Sequence, residues 1–158
     1  MKKLLLTIVI FFISNLNLSS QTLLNTDGLN NLDNVFLFSL KQYCNSLDPL
    51  KTKTVYVMRE HFIGQSWPTK IKNFEIKYIG SSKEYKKVIK ENGGYAIIVG
   101  ICPFEFREEQ FSTGVIPFSA TYSNKRIHLG NGGGLTVYFE YDQTRKGLIY
   151  KTEQWSGI

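Results

Sequence analysis

Residues 59–70, REHFIGQSWPTK, hold the side chains best suited to recognition. Arg59, Glu60 and His61 stand where a β-branched run gives way to a loop, and Trp67 lies beside Pro68 within that loop. Loops on a rigid scaffold are where binding residues concentrate, and an exposed tryptophan is a favoured contact anchor. Arg59, His61 and Trp67 are therefore the candidate ligand-binding residues. The competing expectation for Trp67 is that it folds back over the core. Trp155 is open to the same two readings.

Catalytic chemistry finds no local signature, and no catalytic residue is assigned. GQSWP around Ser66 lacks the second glycine of a nucleophile elbow. Cys44 or Cys102 could pair with His61 or His128, but no neighbouring residue marks either thiol as activated. The two histidines are 67 positions apart, and neither H-E-x-x-H nor C-x-x-C occurs, so no metal site is expected. Glu105, Glu108, Glu109, Glu140 and Asp142 supply carboxylates, but nothing selects the facing pair that a glycosidase needs. No cofactor is expected either.

The stretch RIHLGNGGGLTVYFEYD, residues 126–142, poses a sharper question. Gly130, Gly132, Gly133 and Gly134 invite comparison with a phosphate-binding loop. Such a loop needs a helix after it and a Lys-Ser/Thr pair following the last glycine. Here Leu135 and Thr136 follow, and the alternation of Leu135, Val137, Phe139 and Tyr141 predicts a strand. Asn131-Gly132 is therefore expected to make a hairpin turn.

These residues need elements to hold them. Leu32, Val35, Phe36, Leu40, Tyr43, Cys44 and Leu47 recur at helical spacing, with Asn30 or Asn31 as cap and Asp48-Pro49 as stop. Residues 54–59 and 73–79 predict strands, the second with Phe74, Ile76 and Tyr78 on its dry face. SSKEYKKVIKENGG predicts a second helix, with Ser81 and Glu84 at capping-box spacing and Gly93-Gly94 as the stop. Tyr85, Val88 and Ile89 form its inner stripe; Lys83, Lys86, Lys87 and Lys90 share its outer face. YAIIVGI, residues 95–101, is apolar on both faces and predicts a central strand. Pro117, inside VIPFSATY, suggests an edge strand or a bulge. The last strand is 148–155. Short connections predict antiparallel neighbours. The expected fold is α+β: a curved, mainly antiparallel sheet of about five to six strands with two helices packed on one face.

The chain's 158 residues suit one domain. Lys2 and Lys3, the apolar run Leu4–Ile13 and the polar SNLNLSSQ make the three-part pattern of a secretory leader. That run is short of the ~20 residues a lasting span requires. The expectation is a signal peptide over 1–20, a polar lead-in over 21–30, and a single domain over 31–158 without a transmembrane span, working in the periplasm or outside the cell. Removing Lys2 and Lys3 from 19 basic residues leaves 17 against 13 acidic, a net charge of +4. That is too mild to indicate a nucleic-acid partner. Export would allow a Cys44–Cys102 disulfide, stabilising by roughly 4 kcal/mol; two separate buried thiols are the equal alternative.

The element order resembles cystatin-like or NTF2-like α+β domains. VIPFSATYSNKR, NGGGLTVYFEYD and the ending WSGI make residues 95–158 similar to a group of small exported bacterial proteins with no assigned role. That second resemblance implies a single-domain exported protein and brings no mechanism with it. Three functions remain in view. One is a non-enzymatic binding or interaction module for a protein, glycan or small ligand. Another is a small exported hydrolase built around His61 or His128. The third is an envelope-associated protein laying its basic helix on anionic surfaces.

Overall fold

A computed structural model describes residues 32–64 and 66–157. The expected leader, lead-in and Asn30/Asn31 cap lie outside the described residues. Among the described residues, two helices, α1 (Leu32–Ser46) and α2 (Ser82–Glu91), accompany nine strands. These are β1 (Thr54–Met58), β2 (Lys70–Ile71), β3 (Phe74–Ile79), β4 (Tyr95–Ile101), β5 (Glu105–Arg107), β6 (Gln110–Ser123), β7 (Arg126–Asn131), β8 (Gly133–Asp142) and β9 (Gly147–Gly157). The class is α+β. Among the described residues, no helix is long and apolar enough to cross a membrane.

The sheet corrects the expectation of five to six mainly antiparallel strands. It is mixed and nine-stranded, ordered β2-β3-β1-β4-β6-β8-β9, with β5 and β7 also paired to β6. β1 lies parallel to both β3 and β4. A parallel pair needs a long crossover. Residues 59–73 supply one between β1 and β3, and β3–α2–β4 supplies the other by stepping over β1. The first looks like an ordinary loop in sequence because it contains no helix.

β6 is the spine. Its residues 115–121 pair with β4 and 110–112 with β5; 118–123 pair with β7 and 111–115 with β8. The turn into β7 is made by Asn124 (φ 49°) and Lys125 (φ 62°), so β7 folds straight back along β6. β8 then continues β7's line in the same direction. The pairing moves from Phe118↔Asn131 to Val115↔Leu135. Ile116 and Pro117 thus face Gly132, Gly133 and Gly134, which is a β-bulge. The expected hairpin at Asn131-Gly132 is not there: the glycines sit within a run of strand. Pro117 lies on the central strand at the bulge, not at an edge.

The helices also correct the expectation. They cover opposite faces of the sheet. Val35, Phe36, Leu40, Tyr43 and Cys44 of α1 pack with Val55, Val57, Phe74, Ile76, Val99, Ile101, Val115, Leu135, Val137 and Phe139. Val88 and Ile89 of α2 pack with Ile79, Ala96, Ile98 and Ala120 on the other side. β4 supplies apolar side chains to both groups, so each of its faces needs its own cover. The buried Ser39 hydroxyl donates to the Val35 carbonyl at 2.9 Å, which makes burial of that polar group tolerable.

Candidate functional site

The residues around the 59–67 loop do not assemble into one site. Trp67 is only 6% exposed and packs in the α1-side core. Its ring meets Tyr78 edge-on at 6.2 Å, and its Nε1 has no hydrogen-bond partner among the described residues. Trp67 therefore covers the core and presents no contact surface. The Tyr78 hydroxyl donates to the Pro68 carbonyl at 2.8 Å, tying the crossover to β3. Arg59 is exposed, with its guanidinium carbon 6.0 Å from the Tyr78 ring centroid. It borders a groove of about 430 Å³ shared with Tyr56, Glu84 and Lys87. His61 is exposed and touches the ring of its neighbour Phe62.

His128 is exposed on β7. Among the described residues neither histidine is hydrogen-bonded or ion-paired to a serine, cysteine or carboxylate, and no group of three metal-ligating side chains comes together. Cys44 and Cys102 are free thiols. Burial pushes Cys44 up to about 11, Lys72 opposing only in part. Burial, reinforced by Glu105, also raises Cys102. Both thiols are held in the protonated, weakly nucleophilic form. On α2, Lys86 extends over the Tyr122 ring at 4.8 Å and Lys87 lies 3.9 Å from Glu91. Part of the basic face is thus engaged with the protein itself.

The feature that does assemble is a trough on the α1 face of the sheet, beyond the end of the helix. Alternation along β4 puts Tyr95 and Ile97 on the same face as Val99 and Ile101. The helix covers the latter pair and leaves Tyr95 49% and Ile97 42% exposed. Across the sheet, Trp155 of β9 shares the face of its partner Leu135 and is also 49% exposed. Its ring lies 6.0 Å from Tyr43, so the last turns of α1 form the rim. Between these walls the floor is Pro117, Ser119, Gly130, Gly132, Gly133, Gly134 and Gly157. The space measures about 500 Å³, within the range of small-ligand sites. Through Leu135 and Val115, Trp155 is level with Ile101, so its backbone stands three strand spacings across and six residues along from Tyr95, roughly 14 Å by roughly 20 Å.

Backbone packing explains the bare floor. Gly133 has φ 119°, and a Cβ there would overlap the Ser156 carbonyl oxygen and Gly157 Cα. A Cβ on Gly134 would sit 2.7 Å from the Val115 carbonyl oxygen. The bulge needs glycine at these positions, and the missing side chains leave a depression. Ser119 supplies a polar group, its hydroxyl donating to the Gly130 carbonyl at 3.2 Å. Sequence reasoning noticed both the glycines and Trp155 but not their meeting, because the bulge and the β8–β9 register that join them are non-local.

Compared with protein-family models, with curated proteins and with solved structures, the chain gives no match.

Proposed function

We propose that the chain is a binding module whose ligand lies in the glycine-floored trough between Tyr95 and Trp155. The observation that carries this is the pairing of two half-exposed aromatic walls with a floor stripped of side chains. Tyrosine and tryptophan present an apolar face with a polar tip, and pockets of this size with few polar groups suit small molecules. A short oligosaccharide matches the arrangement: the flat apolar faces of separate sugar rings for the two walls, and hydroxyls for Ser119 and the exposed backbone. The ligand class is therefore a glycan. We place its work outside the cytoplasm, on the strength of the leader pattern in residues 1–20.

The test uses tryptophan emission. Trp67 and Trp155 are the chain's two tryptophans, so Trp67→Phe leaves Trp155 as sole reporter. Soluble tri- and tetrasaccharides of glucose and of N-acetylglucosamine are then titrated. A saturable change, lost in Tyr95→Ala, is expected. Gly132→Leu should abolish it without unfolding the chain, because a Cβ at Gly132 meets nothing within 4 Å. A flat response to every saccharide would end the glycan reading.

A further inference from the structure

Among the described residues, the sheet has one edge that nothing guards. Natural sheets blunt their edges with bulges, prolines, charges or extreme shortness. Among the described residues β9 pairs only with β8, but it carries a register irregularity opposite Tyr138/Phe139 and displays Lys151 and Glu153. β2 is two residues long with Lys70 at one end and Lys72 just beyond. β5 is three residues long and bears the Arg107–Glu105 ion pair at 3.0 Å. β7 has none of these devices beyond Arg126 at its start. Among the described residues its only neighbour is β6; β9 is paired with β8 as far as Gly133↔Gly157.

The turn settles which β7 groups are free. A two-residue loop at Asn124-Lys125 makes Ser123 and Arg126 a hydrogen-bonded pair, and the pattern alternates from there. His128 and Gly130 bond inward to β6. Ile127, Leu129 and Asn131 direct their N–H and C=O groups outward. An extended backbone can pair with such a row along its length. Leu129, 46% exposed on the α2 face, adds apolar surface beside it.

We infer that this edge pairs with the same edge of a second copy, in an antiparallel two-fold dimer centred on His128. In that register Ile127 faces the partner's Leu129, and Leu129 the partner's Ile127. Both are outward-bonding residues on the same face, so their N–H and C=O groups are exchanged in full. Arg126 faces the partner's Gly130, which keeps the two arginines apart. His128 meets the partner's His128 on the other face. The partner's turn, Asn124-Lys125, ends level with Asn131 and stays clear of Gly157. Two-fold pairs of this self-complementary kind are the commonest protein oligomers.

Sedimentation velocity of the purified chain, from low to high micromolar, tests this. The expected result is a concentration-dependent shift toward twice the monomer mass. Leu129→Pro removes an outward N–H and no β6 bond, so it should weaken association about tenfold or more while the circular dichroism is unchanged. Leu129→Lys leaves the backbone intact and should also weaken it, which keeps the test alive if the proline variant fails to fold. A wild-type chain that stays monomeric throughout, or variants that associate as the wild type does, would overturn the dimer. Gly132→Leu should dimerise normally, so failure of the trough reading and failure of this one are separable.

Discussion

Trp67 carries a buried indole N–H that has no partner among the described residues. An unsatisfied buried donor costs about 1–3 kcal/mol. Trp67→Phe removes that cost and leaves a modest void that costs a similar amount. Urea denaturation should therefore find the variant within about 1 kcal/mol of wild type, whereas Trp67→Ala should lose about 3–5 kcal/mol. The glycines separate as cleanly. Gly132→Ala enters open space and should be close to neutral, while Gly133→Ala meets Ser156 and Gly157 at a left-handed φ. The second should cost about 2–4 kcal/mol, by backbone strain and overlap together. Thiol reactivity is a further check. Cys44 is buried and its thiol is pushed up to about 11. At neutral pH a maleimide should modify it far more slowly in the native chain than in urea, as followed by mass spectrometry. Equal rates would show that α1 does not bury it against the sheet.

The second helix shows how far local chemistry reaches. Ser81 accepts from the Glu84 N–H, and Glu84 reaches back to accept from the Gly80 and Ser81 N–H groups and the Ser81 hydroxyl. Those bonds, the Gly80 amide first, hold the Glu84 carboxyl below its usual 4.5. Folding thus favours the ionised form. The resulting stability is present above the unfolded pKa and is lost as pH falls through the folded one. Wild type should exceed Glu84→Gln in stability at neutral pH, with the gap closing in acid; thermal melts across that range would show it. The box was legible because all its members lie within five residues. The inner stripe of α1 was legible for the same reason, its buried positions recurring every three or four residues. Helix placement was not. The apolar character of both faces of YAIIVGI required two covers, yet nothing local says that α1 takes one face and α2 the other. The glycine run misled because a bulge and a turn ask for the same residue, and only the partner strand distinguishes them. The candidate site was legible only as parts: Trp155 and the glycines were visible, and Trp67 drew attention that burial removes.

Across the whole molecule, cover is uneven. The centres of β1, β4 and β6 are sandwiched between helices, whereas residues 151–157 of β9 are exposed. Local opening follows such differences in burial. Amide hydrogen exchange should be slowest for Val57, Ile98 and Val99 and fastest along residues 151–157, whose backbone has one strand neighbour. Saccharide bound beside Trp155 should slow exchange in that last segment specifically. β6 has a consequence for how the chain comes together. Since β4 gains its second neighbour only from residues 115–121, a growing chain that has reached the β4–β5 connection carries α1, β1, β3 and α2 around a strand with one side raw. Truncation before residue 110 should yield an aggregating fragment, and addition of residues 110–157 in trans should rescue it. The order of synthesis leaves the middle of this protein raw until β6 emerges, with β7, β8 and β9 still to follow.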